Sequence, residues 1–150
     1  MKNMRVLIDS NIVLDWLMNR EPFCFEAKRV LQSCLMGEIK GYLSAHSITD
    51  MFYILRKEMD VAKRKQVLLL LCRYFYIVPE DSNTISEALE NAEWQDLEDG
   101  LQMQCAWNEK LDFIITRNIK DFSTSLVPAV LPKEFIDNQL EKSDSWIVLP

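Results

Sequence analysis

Met4-Arg5-Val6-Leu7-Ile8-Asp9-Ser10-Asn11 joins a short apolar run to a polar cluster. A run rich in Val, Leu and Ile that stops at polar residues reads as a buried strand ending in a loop. In an α/β sheet, ligands sit beyond the carboxyl ends of the strands. Asp9 is therefore placed to hold a metal ion or to take part in chemistry. The competing reading makes Asp9 only the N-cap of the next segment, which carries Ile12, Val13, Leu14, Trp16 and Leu17, because Asp, Ser and Asn are the favoured capping residues.

Outward from that junction, the same grammar repeats. Strands are predicted at Met4–Ile8, Gly41–Ser44, Tyr76–Val78, Phe113–Thr116 and Ala129–Leu131. Helices are predicted at Asn11–Met18, Phe23–Met36, Ser47–Lys57, Val61–Phe75, Ser82–Asn91 and Asp96–Glu109. Gly37, just past Met36, is a helix stop. Strands alternating with helices of this length predict an α/β fold with a mostly parallel sheet covered on both faces. The chain of 150 residues fits one domain, 1–150, with one sizeable core. Glu141-Lys142-Ser143-Asp144-Ser145 begins a tail that packs through Trp146, Ile147, Val148 and Leu149.

Composition removes several function classes. Hydrophobic residues at 49% and charged residues at 27% are ordinary for a globular domain. A net charge of −6 does not suit a general DNA-coating protein, yet acids gathered around a metal would produce it. The opening apolar run is too short for a signal-peptide core, and no stretch approaches a membrane span, so a cytoplasmic protein with no membrane partner is expected. The run Val67-Leu68-Leu69-Leu70-Leu71-Cys72 is flanked by Lys63, Arg64, Lys65 and Arg73 and reads as a buried helix. Cys24, Cys34, Cys72 and Cys105 have no zinc spacing, which predicts buried free thiols. With three glycines there is no dinucleotide or P-loop fingerprint. The single His46 has no evident nucleophile beside it, so a serine or cysteine hydrolase is not expected.

Carboxylates remain. In Ser47-Ile48-Thr49-Asp50-Met51-Phe52, Asp50 points away from the apolar face of Ile48, Met51, Phe52 and Leu55, or else completes a capping box with Ser47. In Trp94-Gln95-Asp96-Leu97-Glu98-Asp99-Gly100-Leu101, three acids open a helix whose remainder (Leu101, Met103, Cys105, Ala106, Trp107) is apolar on several sides and expected to be buried. First-turn acids also suit the helix dipole. Asp99, however, shares a face with Met103 and Ala106, with Asp96 close to it and Glu98 turned about 100° away. A carboxylate on an inward face needs a partner, and a cation is the usual one. The stretch Phe113-Ile114-Ile115-Thr116-Arg117-Asn118-Ile119-Lys120-Asp121 sets Thr116, Asn118 and Asp121 beyond another strand end, Asp121 having a capping role as its alternative.

Taken in order, strand-Asp-Ser-Asn, then Ser-x-x-Thr-Asp-x-x-Tyr-x-Leu, then Asp-x-Glu-Asp-x-x-Gln, then Ile-x-Thr-Arg-Asn-x-x-Asp-Phe resemble the PIN-domain ribonucleases over about Met4 to Phe135. The small single-domain members resembled are VapC-type toxins of toxin–antitoxin pairs. The resemblance implies a three-layer α/β/α sandwich with a core at about 4–135 and a C-terminal tail at 136–150. It implies catalytic roles for Asp9, Asp50, Asp99 and Asp121, and metal contacts from Asp9, Asp99, Asp121 and Asn118. Asn11, Asp96 and Thr116 match supporting polar positions. Two positions depart from the pattern: Asp50 stands where glutamate is more common, and Asn118 where a fourth acid usually follows Thr-Arg.

The physical chemistry agrees with those roles. Converging carboxylates repel one another and are stable together when a hard cation neutralises them, and oxygen-only ligands suit Mg²⁺ or Mn²⁺. Such an ion polarises a phosphate and lowers the pKa of bound water, so no side-chain nucleophile is required. The resemblance therefore implies a metal-dependent endoribonuclease leaving a 5′-phosphate and a 3′-hydroxyl, with an antitoxin protein as partner and a homodimeric assembly. The RNA substrate would be held by a basic rim. Arg117 and Lys120 flank the site, with Arg56, Lys57, Lys63, Arg64, Lys65 and Arg73 further off. A catalytically degenerate PIN module that binds RNA or protein is the alternative, favoured by Asn118 and the short Asp50. A haloacid-dehalogenase-like phosphatase also begins strand-Asp, but wants a second aspartate where Asn11 stands.

Overall fold

The computed structural model describes residues 3–140. Five strands form one sheet: β1 (Arg5–Ile8), β2 (Lys40–Ser44), β3 (Tyr76–Val78), β4 (Phe113–Ile115) and β5 (Ala129–Val130). Their spatial order is β3-β2-β1-β4-β5. Every pairing is parallel, and the register sets Val6 beside both Gly41 and Phe113. The helices are α1 (Ser10–Leu17), α2 (Cys24–Leu35), α3 (Ala45–Ile54), α4 (Val61–Tyr74), α5 (Ser82–Glu90), α6 (Leu97–Asn108) and α7 (Pro132–Gln139). Gly37 ends α2 at φ +79°, a conformation that costs glycine little and other residues more.

Side chains alternate across a strand, and β1 feeds a core on each face. Val6 and Ile8 pack with Ile12, Leu31, Met51 and Phe135 on one side. Leu7 packs with Met103, Ala106, Ile114 and Phe122 on the other. Together these are the three layers expected, with α6 meeting the second face and α5 packed against α6. Such an order puts β1 in the middle and its carboxyl end at the centre of one edge. The first residues after β1, β2, β3 and β4 all open onto that edge.

Three expectations need correction. The Val67–Cys72 run is buried only at Leu68 and Leu71, while Leu69 and Leu70 are 58% and 48% exposed. The helix α4 rests one face on α3 and β3, so among the described residues its outer leucines stay uncovered, and Leu70 lines an open apolar groove with Trp16, Leu31, Leu35 and Tyr74. Buried thiols are found at Cys34 and Cys105 only, with Cys72 exposed and Cys24 half-buried; all four are free. On α6, burial covers Gly100–Ala106, but Trp107 is more than half exposed.

Helix α7 was not anticipated, although its signal was present: Pro132 in the first turn, then Phe135 and Ile136 at helical spacing. Phe135 is buried edge-on against Phe113 at 6.0 Å, and burying such a ring contributes roughly 2–3 kcal/mol. The tail expected from 136 therefore begins inside α7, and its apolar end at 141–150 lies outside the described residues. Among the described residues, no helix is long and apolar enough to cross a membrane.

Candidate active site

Asp9 leaves β1 in an extended conformation and caps α1, as the capping reading expects, and that role leaves it at the carboxyl end of the central strand. It is 4% exposed. One carboxylate oxygen accepts the Thr116 hydroxyl at 2.8 Å. The other accepts Gln102 Nε2 at 3.4 Å and the Asn11 N–H at 3.5 Å. Every one of these donors is neutral. Thr116 is itself completely buried, and its oxygen accepts the Asn118 N–H at 3.0 Å. The polar ends of β1 and β4 are thereby locked together.

The N-terminus of α6 brings the second group. Asp96 is the N-cap and accepts the Asp99 N–H at 2.9 Å. Asp99 is half-buried one turn before Gln102, and its carboxyl is pushed up to about 6. Burial is the main cause, followed by the charges of Asp96, Asp121, Asp9 and Glu98. Asp96, Asp99, Lys120 and Asp121 line one cavity of about 250 Å³. Asp121 stands in a 3-10 turn at Ile119–Phe122, its N–H donating to Asn118 C=O at 3.0 Å.

Asp50 sits with a different neighbour from the one its spacing suggested. Ser47 lies inside α3, and its hydroxyl meets that of Ser44 at 2.5 Å, so there is no capping box for Asp50 to complete. Asp50 instead faces Glu98. Burial and then Asp50 raise the Glu98 carboxyl, while His46 opposes that rise. His46 in turn is clamped by Glu80, which follows β3 and accepts the His46 N–H at 2.5 Å with Nδ1 at 2.6 Å. The Cys105 Sγ lies 3.7 Å from the same Glu80 carboxylate. Burial pushes the Cys34 and Cys105 thiols well up, so neither supplies a thiolate nucleophile.

Arg117 is committed elsewhere. Its Nε and Nη2 donate to the fully buried Asp15 at 2.8 and 3.0 Å, and its guanidinium lies 4.1 Å over the Phe23 ring. Arg20 also pairs with Asp15 at 3.5 Å and reaches the Asn11 side-chain oxygen at 3.5 Å. Of the outer basic residues, Arg64 and Arg56 stack on Phe52 and Tyr53 at 4.4 and 3.7 Å. Lys120 is thus the expected basic residue that lines the acidic cavity.

The site draws together Asp9, Asn11, Thr116 and Asn118 by hydrogen bonds, and Asp96, Asp99, Lys120 and Asp121 around one cavity. Sequence reasoning gave no role to Gln102, which closes the Asp-x-Glu-Asp-x-x-Gln stretch, set Glu98 apart from Asp99, and missed the His46–Glu80 pair. Gln102 was findable, because it follows Asp99 by three on the same helical face. Its Oε1 is buried and without a partner among the described residues, while its Nε2 donates to Asp9. That orphan acceptor and the all-oxygen donor set fit a hydrated hard cation. Among the described residues no three His, Cys, Asp or Glu side chains converge as a closed metal cage. Magnesium does not require one, since it keeps several waters and takes one or two carboxylates.

The comparisons with known proteins bear on the fold and the family. No curated protein matches this chain significantly in sequence. Among solved structures, a toxin–antitoxin complex from Klebsiella pneumoniae is 22% identical with a TM-score of 0.65, covering 85% of this chain and 97% of its own. VapBC2 from Rickettsia felis, bound to a promoter DNA fragment, is 15% identical with a TM-score of 0.62 over 85% and 98%. VapBC-1 from nontypeable Haemophilus influenzae is 16% identical with a TM-score of 0.61 over 87% and 99%. At these identities the likeness is one of fold. The family model described as the PIN domain matches residues 5–120, a span that runs from β1 through Lys120 and takes in the acids on α3 and α6. On that match and this fold, the chain belongs to the PIN domain family.

Proposed function

We propose that this chain is a divalent-metal-dependent endoribonuclease and the toxin of a toxin–antitoxin pair. The observation that carries the reading is a surplus of negative charge at the carboxyl edge of the sheet. Asp9 is buried among neutral donors, and Asp99 is raised to about 6 partly by the acids around it. Such an arrangement is costly to hold without a cation. Nuclease activity is general in the PIN family, which supports a phosphodiester substrate.

In this reading Asp9, Asp99 and Asp121 hold a Mg²⁺ or Mn²⁺ ion, with Asn118 offering a neutral oxygen. The ion, when bound, supplies Lewis-acid polarisation of the scissile phosphate and an acidified water. Thr116, Asn11 and Gln102 fix the Asp9 carboxylate in one orientation, and Asp96 holds the first turn of α6 so that Asp99 faces the cavity. Asp50 acts as a further acid through its neighbour Glu98. Lys120 meets the RNA backbone. Arg117 contributes to RNA binding only through whatever its pairing with Asp15 leaves free. An antitoxin partner is supported by the toxin–antitoxin complexes that share the fold, and homodimerisation and a cytoplasmic setting go with that role.

Cleavage of a mixed single-stranded RNA set in Mg²⁺ or Mn²⁺ tests this, with wild type beside Asp9→Asn and Asp99→Asn. Metal-dependent cutting lost in both variants is expected. A folded wild type that cuts nothing would sink the nuclease reading and leave a degenerate PIN module, with Asn118 as the position to restore to aspartate.

A further inference from the structure

The cavity that holds Asp99, Asp121 and Lys120 does not end at the acids. Its other wall is Glu93, Trp94, Met103 and Thr124, and those same four residues line a second cavity of about 220 Å³ that continues to Trp107 and Leu126. Trp107 and Leu126 are 53% and 72% exposed. Trp94 thus borders both the acidic cavity and a neighbouring one that reaches a second, exposed tryptophan. Each chamber is smaller than the usual site of a drug-sized ligand and suits a single ring system.

Trp94 is held there by a specific local arrangement. Gly100, in the first half of α6, leaves room for the indole. A methyl group on it would meet Trp94 Cε3 at 2.9 Å and Cβ at 3.2 Å. Glycine is among the poorest helix formers, so its presence on α6 is explained by the ring lying on that turn, beside Asp99 and Met103. The Trp94 Nε1–H is buried and has no hydrogen-bond partner. An indole nitrogen can only donate, and leaving such a donor unmet is unfavourable.

We infer that this pair of cavities is the nucleobase subsite of the RNA substrate. An unpaired base next to the scissile phosphate stacks on Trp94, and a neighbouring base reaches the Trp107 end. The inference rests on the nuclease reading for the identity of the polymer. Base–aromatic stacking tolerates every base. Glu93 offers an acceptor to exocyclic amino groups. Lys120, on the same wall as Asp121, meets the phosphate that links the base to the cut.

The test is binding of a short fluorescein-labelled single-stranded RNA by fluorescence anisotropy without added metal, beside a matched strand in which every nucleotide is abasic. Trp94→Ala is expected to weaken binding of the ordinary RNA about tenfold, and Trp94→Phe by much less. The abasic strand should bind wild type and Trp94→Ala alike. Gly100→Ala, which favours the helix but displaces the indole, should reproduce part of the loss in a protein of unchanged circular dichroism. Equal binding by wild type and Trp94→Ala overturns the subsite, as does a loss of the same size on the abasic strand, or a wild type that binds no RNA. Trp94-dependent binding without any cleavage in Mg²⁺ would keep the subsite and reject the nuclease. Cleavage indifferent to Trp94 would do the reverse.

Discussion

Asp9 and Asp15 are two buried aspartates at either end of one short helix, and the protein treats them oppositely. Asp15 is fully buried and receives a two-pronged guanidinium from Arg117, with Arg20 added at 3.5 Å. Asp9 is nearly as buried, yet its partners are a hydroxyl, an amide and a backbone N–H. Burial alone does not set the two apart. The charge of their direct partners does: Asp15 is met by two guanidinium groups, and Asp9 by neutral donors.

Removing one partner of a buried ion pair leaves the others charged and unpaired, so Asp15→Ala should lose about 3–5 kcal/mol in urea denaturation. A loss below about 1 kcal/mol would mean that Arg117 and Arg20 reach water easily, and the contrast would collapse. The Asp9 side is sharpened by Thr116→Val, which keeps shape and removes one donor. Affinity for Mn²⁺, read by calorimetry, should fall about 10–100-fold, as for other residues that orient a metal ligand. Unchanged affinity would move the ion away from Asp9.

Asp99 adds a pH dependence. Its folded pKa lies above the unfolded value of 3.8, so the protonated form favours folding. That stabilisation is complete below 3.8 and disappears as pH rises through about 6. Screened by solvent, it is worth about 1 kcal/mol. Metal-free wild type should lose this stability across that window relative to Asp99→Asn, and a flat difference would show that Asp99 is not crowded by its neighbours. The smallest effect is expected for Asp9→Asn. Asparagine caps a helix as well as aspartate does, so stability should stay within about 0.5 kcal/mol of wild type or rise. A fall as large as that of Asp15→Ala would make the two acids alike.

Much of this architecture could be read from the chain because it depends on local periodicity. The β1 run, the alternation of strands and helices, and the Gly37 stop need only near neighbours. Asp99 facing inward followed from its spacing to Met103 and Ala106. What escaped was pairing across elements. Glu98 meets Asp50, His46 meets Glu80, and Arg117 meets Asp15 only once the sheet has set their helices side by side, and no spacing along the chain encodes that. Leu69 and Leu70 misled for a related reason: an apolar run reports what a helix can bury, while its neighbours decide how much is covered.

The central place of β1 has a consequence in time as well as space. In order of synthesis, the two side-chain donors of Asp9 follow it by 93 and 107 residues. Until β4 has been made and threaded beside β1, the carboxylate lacks both of them and keeps only the nearby Asn11 N–H. The topology acts as a delay: the surroundings of Asp9 take their final form only after β4 has joined the sheet.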